Sequence, residues 1–156
     1  MYATKLLACF FVLSLTVAAL ITHQAKAQAE TITDAAKTAI RTGDSKELAR
    51  YFNSLVELKI HDANVSKANS KDYSKTQAEY ILREFFRDNP PQSFEYIHQG
   101  ASREGNLRYT IGKYVCRDRN NKAVSFRVFM KLKQQNGSFV IDAIDFSKDE
   151  SPENNN

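Results

Sequence analysis

The stretch Val124-Ser125-Phe126-Arg127-Val128-Phe129-Met130-Lys131-Leu132-Lys133-Gln134, followed after Asn136-Gly137 by Phe139-Val140-Ile141-Asp142-Ala143-Ile144-Asp145-Phe146, decides the fold. Successive side chains of a strand point to opposite faces. The first run therefore lays Val124, Phe126, Val128, Met130 and Leu132 on a core and turns Ser125, Arg127, Phe129, Lys131 and Lys133 the other way. Asparagine and glycine tolerate the positive φ of a type I′ turn, so this pair between two alternating runs predicts a hairpin, with strands at about 124–134 and 139–146.

Working backward, Asp118-Arg119-Asn120-Asn121 and Glu104-Gly105-Asn106 are further short connections rich in residues that accept positive φ. They bound alternating runs at about Leu107 to Arg117 and Phe94 to Ala101, and the four strands together read as an antiparallel meander. Gly112 interrupts the second strand. A bulge is expected there, and it would invert the facing of every residue beyond it.

Upstream the period changes. Ala78, Ile81, Leu82, Phe85 and Phe86 form a helical stripe that starts at the capping box Ser74/Gln77 and stops at Asn89-Pro90-Pro91. Ala63 to Asp72 is polar and aperiodic, and reads as a loop. Val56, Leu58 and Ile60 alternate with Glu57, Lys59 and His61, which gives a half-buried edge strand with His61 in water. Two shorter helices precede it. Thr31 to Thr42 carries Ile32, Ala36, Ala39 and Ile40 on one stripe with Gly43 at its end, and a second helix is capped by Asp44 with Glu47 three residues on.

The expected fold class is α+β: a curved, mainly antiparallel sheet made of a four-strand meander plus one edge strand, with three helices packed on one face to give a cone. This element order resembles the cone-shaped fold shared by nuclear-transport-factor-two-like and ketosteroid-isomerase-like proteins, related in shape to cystatin-like folds. More narrowly, Thr38-Ala39-Ile40-Arg41-Thr42-Gly43-Asp44, Leu55-Val56-Glu57-Leu58, Phe85-Phe86-Arg87-Asp88-Asn89-Pro90-Pro91 and the closing Phe146 resemble a family of small secreted bacterial proteins of unknown function. The resemblance implies a shape, an address and a pocket between the concave sheet face and the helices, where some relatives of the fold keep an acidic general base. It supplies no reaction.

The amino terminus carries Lys5, an apolar run from Leu6 to Ile21 and then Ala25-Lys26-Ala27, the order of a secretory signal. That run is shorter than the roughly 20 residues of a membrane span, so no permanent span is expected and the protein is expected to be exported, periplasmic or extracellular. The domain reading is a cleaved signal over 1–27, one α+β domain over 28–147 and a disordered acidic, asparagine-ended tail over 148–156. Cleavage removes Cys9 and leaves Cys116 alone, so no internal disulfide forms and Cys116 reads as a buried, inert thiol. It also leaves 20 Lys and Arg against 18 Asp and Glu, with a local excess of +7 between Arg103 and Lys133.

Candidate site residues follow from facing. Phe94, Tyr96 and His98 share one side of the first meander strand, and Leu107, Tyr109 and Ile111 one side of the second. On the last strand both parities contain an aspartate, so either register places Asp142 or Asp145 inside. Tyr96, His98, Tyr109 and Asp142 are thus the candidate ligand-binding residues. Asp142, Tyr109 and His98 are the candidate catalytic set, a base beside a phenol donor as used in isomerisation through an enolate. Arg127, Phe129, Lys131 and Lys133, with Arg108 near them, form the candidate partner surface, read as a solvated face, a homodimer contact on the open sheet or an anion site. Nucleic acid is disfavoured by export. No phosphate loop, HExxH helix, cysteine pair or nucleophile elbow is present, so no cofactor and no metal are expected. The leading reading is non-catalytic binding of a small apolar or amphipathic ligand or of a protein partner, and the alternative is a lyase or isomerase of the ketosteroid-isomerase-like type.

Overall fold

The computed structural model describes residues 27–61, 71–118 and 120–149. Among the described residues helix α1 runs through 27–42, taking in the four residues ahead of Thr31. Ala29, Ile32, Ala36, Ala39 and Ile40 are buried on one side, and Gly43 ends it at φ +71, a conformation cheap only for glycine. In α2 (Ser45–Ala49) the Asp44 side chain accepts the Glu47 N–H at 2.8 Å, while the Glu47 carboxylate accepts from Arg50 and the Tyr51 hydroxyl. Then follow β1 (Phe52–His61), β2 (Lys71–Ser74), α3 (Lys75–Asp88), β3 (Pro91–Ala101), β4 (Leu107–Arg117), β5 (Ala123–Gln135) and β6 (Ser138–Lys148). The Ser74/Gln77 capping box of α3 is formed in both directions, and Asn136 and Gly137 take φ of 51° and 80° as the hairpin turn requires.

The strands form one sheet in the order β2-β1-β6-β5-β4-β3, so the expected five strands become six. Lys71 and Asp72, read from sequence as the end of a loop, pair antiparallel with Leu58 and Glu57. A four-residue polar strand is too short to show a period. β1 consequently lies inside the sheet rather than at its edge, with β2 on one side and β6, to which it runs parallel, on the other. The remaining expected loop residues, 63–70, lie outside the described residues, as do 1–26 and 150–156. The tail boundary also moves: Lys148 belongs to β6, the Asp149 N–H donates to Ser125 O, and Asp149 pairs with Arg127 at 3.4 Å.

Two bulges set which way the strands face. In β3, Tyr96 pairs with Gly112 and His98 with Ile111, so Ile97 is the extra residue and the facing switches between Tyr96 and His98. The bulge expected at Gly112 sits opposite it instead. β4 runs in unbroken register with β5, and Gly112 serves to seat a ring: a Cβ there would lie 2.5 Å from Phe94. In β6, Leu132 pairs with Ile141 and Lys131 with Ala143, which makes Asp142 the extra residue. Phe139 and Ile141 before it and Ile144 and Phe146 after it are then all buried. The forced inward aspartate disappears, because losing regular pairing at one residue costs far less than burying a carboxylate among aromatic rings.

The helices cover one side of the sheet. Phe85 of α3 meets Phe146 at 4.8 Å and Phe126 at 5.2 Å between ring centroids, and Tyr114 and Phe86 complete the cluster. The Tyr114 hydroxyl donates to Asn89 O at the end of α3, so even the polar tip of the inner wall is satisfied.

Candidate functional site: two faces of one sheet

The unbroken register of β4 carries Arg108, Thr110, Gly112, Tyr114 and Cys116 to the inner face. Large Tyr114 completes the aromatic cluster there, so Leu107, Tyr109 and Ile111 must turn outward. This reverses the facing expected for Tyr109 and for Arg108. Arg108 extends along the inner wall with its guanidinium carbon 5.8 Å from the Phe139 ring centroid. Its Nε and the Thr110 Oγ1 are buried and, among the described residues, make no hydrogen bond of good geometry, although the Tyr96 phenol lies beside Thr110. Tyr96 is inward as expected, but its hydroxyl donates to Thr33 O of α1 at 2.8 Å, and burial holds its pKa well above that of a free phenol. Burial likewise pushes the Cys116 thiol up to about 11, which keeps it protonated and unreactive.

The open face is a set of lateral rows. Lys59, Asp145, Phe129, Ile111 and His98 follow one another across β1, β6, β5, β4 and β3, and the next row runs Glu57, Ala143, Lys131, Tyr109 and Gly100. The Tyr109 ring folds over Gly100 and stands 5.7 Å from the His98 ring. Phe129 and Tyr109 are each 37% exposed and Leu107 36%, on a side that none of the described helices packs against. Asp145 lies 3.9 Å from both Lys59 and His61 and accepts from Ser147. Arg127 and Lys133 stand on the same side, Arg127 held by Asp149.

The candidate catalytic set does not converge. Asp142 meets Lys131 Nζ at 3.0 Å and accepts from Asn53 at 3.2 Å. Burial alone would raise its pKa, but the bonds from Lys131 and Asn53 and the charge of Lys133 outweigh that and hold the carboxyl below its usual value. Three strand spacings separate β6 from β3, about 14 Å, so His98 is out of its reach. His98 faces outward with Tyr109, and only those two of the set are neighbours. Among the described residues no group of three His, Cys, Asp or Glu side chains gathers to hold a metal.

Sequence reasoning did not single out Thr110, whose signal was its place two residues from Arg108 and from Gly112 on one face of β4. It also missed an open apolar depression of about 430 Å³ lined by Tyr73, Thr76, Gln77, Tyr80 and Ile81, beside the edge strand β2.

Comparison with known proteins agrees with this fold. A family model described as a domain of unknown function (DUF4783) matches residues 33–147. The crystal structure of a DUF4783 family protein from Bacteroides uniformis superposes with a TM-score of 0.64 at 24% identity, over 76% of this chain and 97% of that one. An NTF-2 like protein of unknown function from Silicibacter pomeroyi matches at a TM-score of 0.54 and 14% identity, over 82% and 98% of the two chains. A hypothetical protein with a ketosteroid isomerase-like fold from Catenulispora acidiphila, in complex with trimethylamine, matches at 0.58 and 10%, over 77% and 86%. Nothing among curated proteins matches the chain.

Proposed function

The chain belongs to the DUF4783 family, a family of unknown function with an NTF2-like fold, and from that premise we propose that it is an exported, non-catalytic binding domain whose working surface is the open sheet face, docked there on a second copy of itself. The observation that carries this reading is the exposure of Phe129, Tyr109 and Leu107 on the outer face of β4 and β5, where no described helix covers them. Charge supports a like partner. Cations concentrate on β4 and β5 (Lys113, Arg127, Lys131, Lys133), while β6 carries Asp142 and Asp145 and β1 carries Glu57 beside Lys59. A half-turn about an axis along the strands, between β5 and β6, sets each half over its opposite, as an isologous contact requires. The test is sedimentation of the domain over a range of concentrations. A dimer is expected, and Phe129→Asp is expected to weaken it at least about thirtyfold while leaving the domain folded. A wild-type chain that sediments as a monomer throughout overturns the reading.

A second reading is favoured by the inner Arg108, whose buried Nε makes no hydrogen bond among the described residues. An amphipathic ligand with an acidic head would give the guanidinium the planar acceptor it lacks. Decanoate, used as the probe, is expected to raise the melting temperature of the wild type and not of Arg108→Gln. Equal shifts in both argue against it. The isomerase alternative gains no such support, because Asp142 is already engaged by Lys131 and Asn53.

A further inference from the structure

The junction that the sequence marks for cleavage, Ala27 to Gln28, lies at the amino-terminal end of the described part of α1. Ala27 is exposed, Gln28 half-buried and Ala29 fully buried. Gln28 Oε1 accepts the Phe139 backbone N–H at 3.0 Å, a bond across 111 positions that fastens the start of α1 to β6. Cleavage would leave this fastened residue as the new chain end.

We propose that Gln28, once it becomes the amino-terminal residue, closes to pyroglutamate, and that the fold holds the resulting lactam carbonyl against Phe139. This rests on the export reading above. In the step, the Gln28 α-amine attacks its own side-chain Cδ. The N–Cδ bond forms and the Cδ–Nε2 bond breaks. The departing nitrogen takes up the proton shed by the amine and leaves as ammonia. No oxidant, reductant or cofactor enters.

Three features of the structure favour the product. The Phe139 N–H donates to Oε1, which draws electron density from Cδ and stabilises the oxyanion that forms during attack. A protonated amine at the first residue of α1 would face the positive end of the helix dipole beside fully buried Ala29, and cyclisation removes that charge. The lactam keeps a carbonyl oxygen, so the partly buried Phe139 N–H retains an acceptor.

The test is peptide mapping by mass spectrometry of the chain recovered after a cell has exported the full-length precursor. The expected amino-terminal peptide begins at Gln28, is lighter by one ammonia, and resists aminopeptidase until pyroglutamyl peptidase is added. A peptide beginning at Gln28 with a free amine overturns this inference and leaves export standing. A chain cut at another bond, or left uncut, overturns this inference and leaves export standing, whereas failure to recover the chain outside the cytoplasm overturns the export reading as well. Gln28→Ala is the companion variant: amide exchange at Phe139 is expected to quicken about fivefold, the loss of one net hydrogen bond. Unchanged exchange would show that the fold does not hold the lactam.

Discussion

The two sides of the sheet draw on the same strands and treat aromatic rings in opposite ways. Inside, Phe85, Phe86, Tyr114, Phe126 and Phe146 lock together, and the hydroxyls of Tyr96 and Tyr114 are spent on backbone carbonyls. Outside, Phe129 and Tyr109 lie open between ion pairs such as Lys131 with Asp142 and Lys59 with Asp145. Rings of one side hold the domain together; those of the other are available to something else. Similar composition thus has opposite meanings, and the helices decide which applies.

The largest effect expected to separate the faces is a pair of truncations. Phe146→Ala, at a fully buried ring inside the cluster, should cost about 4 kcal/mol in urea unfolding. Phe129→Ala should cost less than about 1 kcal/mol when measured on the dissociated chain. Equal costs would break the comparison. A sharper contrast comes from two glycines that each support a ring. Gly112→Ala should cost about 2 kcal/mol, because the Phe94 ring beneath it is buried and has nowhere to go. Gly100→Ala should cost less than about 1 kcal/mol, because the Tyr109 ring over it is partly exposed and can swing into solvent.

The smallest effect concerns acid. A carboxyl whose pKa is lowered by folding stabilises the fold above its unfolded value and loses that contribution as pH falls through the folded one. Asp142 is such a group, with an ordinary value of 3.8. Melting temperatures of wild type and Asp142→Asn should therefore differ above about pH 4 and converge in stronger acid. A difference that persists unchanged in strong acid would mean that Asp142 acts through shape rather than charge.

What the sequence revealed was whatever one segment settles with its own neighbours: the Ser74/Gln77 box, the Asn136-Gly137 turn, the stop at Gly43, the alternation of β5. What it concealed was set across strands. Counting along β3 gives Tyr96 and His98 one facing, and the extra residue Ile97, visible only against Gly112 and Ile111, gives them two. In β6 the clue was present: aspartates and large apolar residues on both parities satisfy neither register, and only an extra residue at Asp142 frees both. The candidate site suffered accordingly, with Tyr96 facing inward as expected while His98, Tyr109 and Arg108 are reversed.

The parallel pairing of β1 with β6 carries a kinetic consequence. A strand made early finds its neighbour only when the last strand has been synthesised, so high contact order is built into the middle of the sheet. A nascent chain on the ribosome lacks that neighbour until β6 has emerged. Closure therefore comes late, and the middle of the sheet stays free of premature locking until the final segment arrives.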